Sequence, residues 1–169
     1  IGTYTKIEGF AFLPITSFMM ALTTFVSQNR GAKEYERARK GAHFGLVCSV
    51  SLAETIGVLI ALFATPLMRL FVDDPQVIQY GVERAHYATI LFFLLAYSHG
   101  VSAVLRGVGK SVVPMVVMLV CWCLVRVTLL TMLNMLFHNI LFVYLIYPFT
   151  WSLSSIVFFL YYRKINWQE

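Results

Sequence analysis

The chain has 169 residues, of which 59% are hydrophobic and only 12% are charged, and its mean hydropathy is +0.76. A soluble domain is about 45–50% apolar and about 25% charged, so this chain carries more apolar surface than a water-soluble fold of its size can bury. The composition excludes an ordinary soluble domain and indicates a membrane protein. The net charge of +5 would suit nucleic-acid binding only if the basic residues shared a solvated face. Because they instead alternate between connections, we expect no nucleic-acid partner.

Five long apolar segments predict five membrane-spanning helices. A helix of about 18–20 apolar residues crosses the hydrocarbon core of a bilayer, and each segment reaches that length. No segment alternates polar and apolar residues with a period of two, so membrane-spanning strands are not indicated. We predict an all-α, polytopic helix bundle that forms one transmembrane domain over residues 1–169. In chain order the predicted spans cover residues 5–29, 38–70, 75–105, 111–137 and 139–163.

Basic residues occupy alternate connections between the predicted spans. The first and third connections and the C-terminal tail are basic, the second connection is acidic on balance, and the fourth is uncharged. Short loops rich in Lys and Arg stay in the cytoplasm. We therefore predict a multi-pass membrane protein with its C-terminus in the cytoplasm, and we expect the membrane to be the inner membrane of a bacterium. The residues that would determine this topology are Arg30, Lys33, Arg37, Arg39, Lys40, Arg106 and Lys110.

The first residues indicate a segment of a longer protein. The chain starts with Ile rather than Met, and it lacks the basic start and short apolar core of a signal peptide. Five spans with a cytoplasmic C-terminus would also place residue 1 outside, with nothing in the chain to translocate it. We expect helices upstream of residue 1.

Two ionisable residues, Glu54 and Arg126, lie near the middle of predicted spans. Counted along their helices, both lie about 21–23 Å from the cytoplasmic end. An unpaired charge at that depth costs at least about 2.5–3.5 kcal/mol. Two interpretations remain open: a static ion pair that joins spans two and four, or an ion-coupling site at which Glu54 binds and releases a cation beside Arg126 as its buried partner. His99, in the cytoplasmic half of span three, is either a proton relay or a packing histidine.

Catalytic and metal-binding patterns are missing from the sequence. Cys48, Cys121 and Cys123 lie inside apolar runs without the spacing of a metal site. The segment "LRGVGKS" lacks the spacing of a phosphate-binding loop. We therefore expect no enzyme activity, no cofactor and no metal.

Three ordered segments resemble the C-terminal lobe of multidrug and toxic compound extrusion (MATE) transporters. They read "ALTTFVSQNRGAKEYERARKG", "ATPLMRLFVDDPQVIQYG" and "VSAVLRGVGKSVVPM". The resemblance implies a fold of twelve helices in two lobes, of which this chain would supply helices eight to twelve, with the N-terminal lobe of the same chain as its partner. It also implies efflux of a small amphipathic or cationic substrate in exchange for Na⁺ or H⁺. The cleft between the lobes would open alternately to the two sides, among membrane lipids.

One departure from the family pattern leaves the coupling site open. Some members carry a coupling carboxylate ten residues before the "LRG" triplet, where this chain has Leu95. Coupling would then depend on Glu54, on helix seven or on the other lobe. Two alternative functions also remain: a flippase for lipid-linked sugars from the same superfamily, and a truncated membrane module that does not transport. A flippase would need several basic residues in its cleft, where the sequence offers only Arg126.

Overall fold

The computed structural model describes residues 2–137 and 140–168, and these residues form helices joined by short connections. This architecture confirms the predicted all-α fold. Residues 138 and 139, which include the start of the predicted fifth span, lie outside the described residues. In chain order the elements are α1 (Gly2–Gly31), α2 (Tyr35–Leu62), α3 (Ala64–Arg69), α4 (Pro75–Thr89), α5 (Phe92–Gly107), α6 (Val112–Met118), a π-helical segment (Leu119–Val125), α7 (Arg126–Phe137) and α8 (Ile140–Arg163).

Among the described residues, four helical segments are long and apolar enough to cross a bilayer. Helices α4 and α5 meet at an angle of 62°, and together they make a fifth span if the bent pair crosses the membrane as one unit. Four or five spans agree with the predicted polytopic bundle. The four unbroken segments are Glu8–Gly31, Tyr35–Leu62, Val112–Leu133 and Leu145–Arg163.

The apolar segment 38–70, taken as one span in the sequence, is divided in the structure. Helix α2 ends at Leu62, and after Phe63 the short helix α3 begins. Pro66 lies inside α3 and has no N–H group to donate to the preceding turn, so a continuous helix would lose a hydrogen bond there. The candidate membrane span of this segment is therefore α2, Tyr35–Leu62.

The segment 75–105 is also divided, between α4 and α5. The break contains neither Gly nor Pro. An oxygen of the Glu54 carboxylate on α2 accepts a hydrogen bond from the Phe93 N–H at 3.1 Å. The first N–H groups of a helix have no acceptor within that helix, and Glu54 supplies one from a neighbouring helix. The break is thus stabilised by a residue 39 positions away in sequence.

Helix α5 lies at the centre of the bundle, packed against α1, α2 and α8. Eleven of its 16 residues are buried, and several of these are Gly, Ala or Ser, which allow helix backbones to approach closely. At Gly107 an added Cβ would lie 2.8 Å from the Val26 Cβ and 2.9 Å from the Thr23 carbonyl oxygen of α1. The Thr23 hydroxyl also donates to the Ala103 carbonyl at 3.1 Å. Glycine at this position is what permits the close contact of α1 with α5.

The first and third connections lie at the same end of the bundle. Arg30, at the end of α1, donates a hydrogen bond from Nη1 to the Val108 carbonyl, just after α5. At the same end, the start of α2 and the end of α8 border one groove that is lined by Arg39 and Tyr162. The connections that carry the predicted topology residues therefore share one side of the molecule.

Candidate functional site

Charged side chains from three helices meet inside the bundle. Glu8 of α1 forms a salt bridge with Arg84 of α4, with 3.3 Å between Oε2 and Nη2. The two side chains are only 13% and 8% exposed. Arg126, the first residue of α7, lies near enough to Glu8 for a Coulombic attraction. We call Glu8, Arg84 and Arg126 the charged cluster.

The Arg126 guanidinium is held by polar and aromatic contacts. Its Nε and Nη2 donate to the Thr150 hydroxyl oxygen of α8 at 3.2 and 2.6 Å. Its central carbon lies 4.8 Å from the ring centre of Trp122 and 4.7 Å from that of Tyr147. The Arg84 guanidinium lies 5.0 Å from the same Tyr147 ring, so one ring contacts two cations. Each such contact contributes about 0.5–2 kcal/mol, more where water is excluded.

Aromatic rings connect the two sides of the Arg126 site in a closed series of contacts. Neighbouring ring centres are 5.2 to 6.4 Å apart. Arg126 closes the series because it contacts the first ring and the last. Such apolar walls lower the local dielectric and strengthen the interaction between the charges. In order, the rings are Trp122, His99, Phe12, Phe92, Trp151 and Tyr147.

Helical periodicity explains how the side chains of each helix reach the cluster. Glu8 and Phe12 are four residues apart on α1 and share one face, as residues at that spacing do in an α-helix. Trp122 and Arg126 are also four apart, across the end of the π-helical segment. Segments of π-helix are rare and are frequent at functional sites. The site thus combines regular helix faces with one local irregularity.

The structure does not bring Glu54 and Arg126 together. Glu54 contacts the Phe93 N–H at the helix break, whereas Arg126 contacts Thr150 and two rings. Within residues 2–137 and 140–168, the salt bridges are Glu8–Arg84 and Glu36–Lys40. Equal depth along two helices fixes one coordinate only, and it leaves open which way each side chain faces. Of the two interpretations open from the sequence, the static ion pair between spans two and four is not formed among the described residues, and the ion-coupling role of Glu54 stays a prediction.

His99 lies half-buried in the series of rings, where its neighbours are aromatic. Its ring centre is 5.2 Å from that of Trp122 at an angle of 90°. It also lines a cavity of about 510 Å³ together with Ser102, Arg106 and Ser111. The rest of the cavity lining is apolar, and the position of His99 between the rings and this cavity suits either of the roles considered from the sequence.

Two members of the charged cluster were missed by the sequence reasoning. Glu8 lies near the start of the predicted span 5–29, and Arg84 lies within the predicted span 75–105, and neither is near the middle of its span. The i, i+4 spacing of Glu8 and Phe12 offered a weak signal that Glu8 shares a face with an apolar residue. No group of three potential metal ligands occurs in the part of the chain that the structure describes.

Comparison with known proteins finds similarity to one family of membrane transporters along most of the chain. The profile of the MatE family matches residues 1–133. A probable multidrug resistance protein NorM of Thermotoga maritima is 30% identical over 112 residues, which are 66% of this chain and 24% of that protein. A probable multidrug resistance protein YoeA of Bacillus subtilis is 23% identical over 99% of this chain and 36% of its own length. A protein named FAD transporter from Shewanella oneidensis is 29% identical over 47% of this chain and 18% of its own length.

The chain therefore spans about a quarter to a third of the length of the first two of these relatives. The match to the family profile covers well over half of the chain. The order of the helices and their apolar length agree with a multi-pass membrane protein. On these grounds the chain belongs to the MatE family.

Proposed function

We propose that the chain is the helix-eight-to-twelve portion of a secondary active multidrug efflux antiporter. Such a protein exports a small amphipathic or cationic substrate in exchange for Na⁺ or H⁺, and it needs no enzyme activity or cofactor. The proposal is supported by family membership and by the multidrug resistance names of two relatives. The N-terminal lobe of the same chain would form the opposite wall of the cleft, and the basic connections would lie in the cytoplasm of a bacterium.

The charged cluster is the observation that carries this proposal. A charge buried in a membrane protein is costly, and such charges often mark ion or substrate pathways. Glu8 offsets the charge of Arg84 and attracts Arg126, so it links α1, α4 and α7 electrostatically. A proton or Na⁺ that binds Glu8 would weaken both links. An ion can drive a conformational change only if it binds two states with different affinity, and this arrangement provides such a difference.

Glu54 is a second candidate for ion coupling, for a separate reason. Its carboxylate accepts the Phe93 N–H at the break between α4 and α5. The N-terminus of a helix carries a partial positive charge that favours an anion. Protonation of Glu54 would weaken that interaction, because the carboxyl group keeps an acceptor oxygen but loses its negative charge. His99 would serve as the proton relay between the cavity beside it and the charged cluster.

The lipid-linked sugar flippase is less well supported. The structure adds Arg84 to Arg126, so two guanidinium groups lie near the site rather than one. However, Glu8 forms a salt bridge with Arg84, which leaves less positive charge for a pyrophosphate group. A membrane module that does not transport would show no substrate movement in a transport assay. Because one relative is named FAD transporter, FAD is tested as a second substrate in that assay.

A proteoliposome assay tests the proposal. The protein is expressed in its natural reading frame, and efflux of a fluorescent organic cation and, in a separate run, of FAD is measured under a Na⁺ gradient, a pH gradient or neither. We expect efflux that depends on one gradient and that Glu8→Gln abolishes. Glu83→Gln is the matched control, because Glu83 is an exposed acid on α4 whose side chain contacts Gln79 on the same helix. Efflux that is absent, independent of both gradients, or equal in the Glu8 variant and the parent would contradict the proposal.

Glu54→Gln is measured in the same assay. Loss of gradient-driven efflux at normal expression would assign coupling to Glu54, whereas unchanged efflux would leave Glu54 as a residue that stabilises the helix break.

A further inference from the structure

A groove of about 990 Å³ lies between the start of α2 and the end of α8. The two helices both pack against α5, and the C-terminal residues after α8 close one side of the groove. Because α2 and α8 are both candidate membrane spans, a groove at their ends lies where the bilayer meets water. Its lining is basic and aromatic, and it includes Arg39, Lys40, His43, Phe44, Arg163 and Trp167.

The groove carries a net positive charge. Lys40 forms a salt bridge with Glu36 at 3.1 Å, and this exposed pair is neutral overall. Among the described residues, Arg39 and Arg163 form no salt bridge with a carboxylate. Arg39 lies near enough to the Tyr162 hydroxyl to interact with it electrostatically, so the α2 wall faces the α8 wall. Two arginine side chains are thus available to an anion in the groove.

The walls of the groove become apolar toward the middle of the membrane. Arg39, His43 and Val47 are spaced four residues apart on one face of α2, so Val47 lies about 12 Å farther along the helix than Arg39. Phe44 and Val47 line the groove and are 70% and 53% exposed. At the outer end, Trp167 packs against Tyr162 with ring centres 6.3 Å apart, as aromatic residues do at membrane interfaces. The groove is therefore basic at its opening and apolar on the side that faces the middle of the membrane.

We propose that this groove binds an anionic phospholipid, with the headgroup phosphate between Arg39 and Arg163 and the acyl chains along Phe44 and Val47. Arginine matches the geometry of phosphate because its planar fork can donate two parallel hydrogen bonds. Basic pockets between membrane helices attract anionic lipid headgroups. A soluble phosphate would leave the apolar wall uncovered, and a neutral lipid would leave the arginines without a net counter-charge. The inference depends on the multi-pass fold and is independent of the transport proposal.

Native mass spectrometry tests this site. The protein, expressed in its natural reading frame and purified in detergent, is offered equal amounts of phosphatidylglycerol and phosphatidylcholine. We expect phosphatidylglycerol to be retained in preference. Each arginine near a membrane surface contributes about fivefold to anionic-lipid binding, so replacing Arg39 and Arg163 together by Gln is expected to weaken phosphatidylglycerol binding about 25-fold, with phosphatidylcholine unchanged.

The control variant removes the same charge from elsewhere. Arg37→Gln combined with Arg69→Gln deletes two exposed arginines that do not line the groove. If this control loses phosphatidylglycerol as strongly as the groove variant, the binding is a general surface attraction and the proposal fails. Equal retention of both lipids by the parent protein, or an unchanged groove variant, would also overturn it. Displacement of the lipid by equimolar glycerol phosphate would assign the site to a soluble anion instead.

The folding of each variant is checked by its thermal unfolding temperature. If the double groove variant does not fold, Arg163→Gln alone supplies the test, since Arg163 ends α8 and its guanidinium lies 5.7 Å from the centre of the Phe159 ring. The expected loss is then about fivefold, and no loss would refute the site.

Discussion

Replacing Glu8 by Gln removes the carboxylate from the charged cluster. The cluster then contains two guanidinium groups, of Arg84 and Arg126, and no negative charge. The 3.3 Å separation in the salt bridge gives a Coulomb energy of about 332/(20 × 3.3), or roughly 5 kcal/mol, at an effective dielectric constant of 20. Removing one partner of a buried pair costs about 3–5 kcal/mol, because the other charge stays buried. We expect Glu8→Gln to cost an amount in this range.

Arg84→Met removes the other half of the pair. After this substitution Glu8 still interacts with Arg126, so the buried carboxylate keeps a cation nearby. The double variant removes one charge of each sign, and its cost should be smaller than the sum of the two single costs by about 2 kcal/mol or more.

The assay is equilibrium unfolding in mixed detergent micelles, followed by the loss of helical circular dichroism, with the free energy of unfolding measured for the four proteins of the cycle. A matched exposed pair, Glu36→Gln with Lys40→Met, should change the free energy of unfolding by only about 0–1 kcal/mol. Additive costs at Glu8 and Arg84 would show that the pair does not hold the helices as described.

Three further predictions concern the helix break, the contact of α1 with α5, and Arg126. Glu54→Ala removes the acceptor of the Phe93 N–H and should destabilise the protein by about 1–3 kcal/mol, with faster hydrogen exchange at that amide, whereas Glu54→Gln should preserve most of both. Gly107→Ala should cost about 1–3 kcal/mol in unfolding free energy, because its Cβ would lie 2.8 and 2.9 Å from atoms of α1. Gly31→Ala, with open space around it, should stay within about 0.5 kcal/mol. Arg126→Lys should lower stability by about 1–2 kcal/mol because an ammonium group cannot reproduce the planar stacking between two rings, and an unchanged melting temperature would contradict this.

The sequence was informative about properties that depend on long segments. Apolar length predicted an all-α polytopic bundle, and the described residues contain four or five helices of the required length. The alternation of basic connections predicted that the first and third connections share a side, and the hydrogen bond from Arg30 to the Val108 carbonyl places them together. Which end of the bundle faces the cytoplasm stays a prediction.

The site could not be predicted because it depends on how helices rotate against one another. Glu54 and Arg126 lie at similar depths by residue counting, yet their side chains contact different helices. The break between α4 and α5 has no local Gly or Pro, since its stabilising acceptor comes from α2. Glu8 lies too close to the end of its segment for hydropathy to mark it as buried. These contacts join residues that are far apart in sequence, so local hydropathy along the chain does not predict them.

The hydrogen bond between Arg30 and the Val108 carbonyl can form only after both residues have been synthesised. Its partners are 78 residues apart, so at about 5–20 residues per second the ribosome needs roughly 4–16 s to supply the second partner after the first. Within that interval α2 is synthesised before α5, the helix against which both α1 and α2 pack. Until α5 is complete, the faces of α1 and α2 that will contact it must lie in lipid or against an insertion factor. Slowing translation between these two points would lengthen the exposure of those faces.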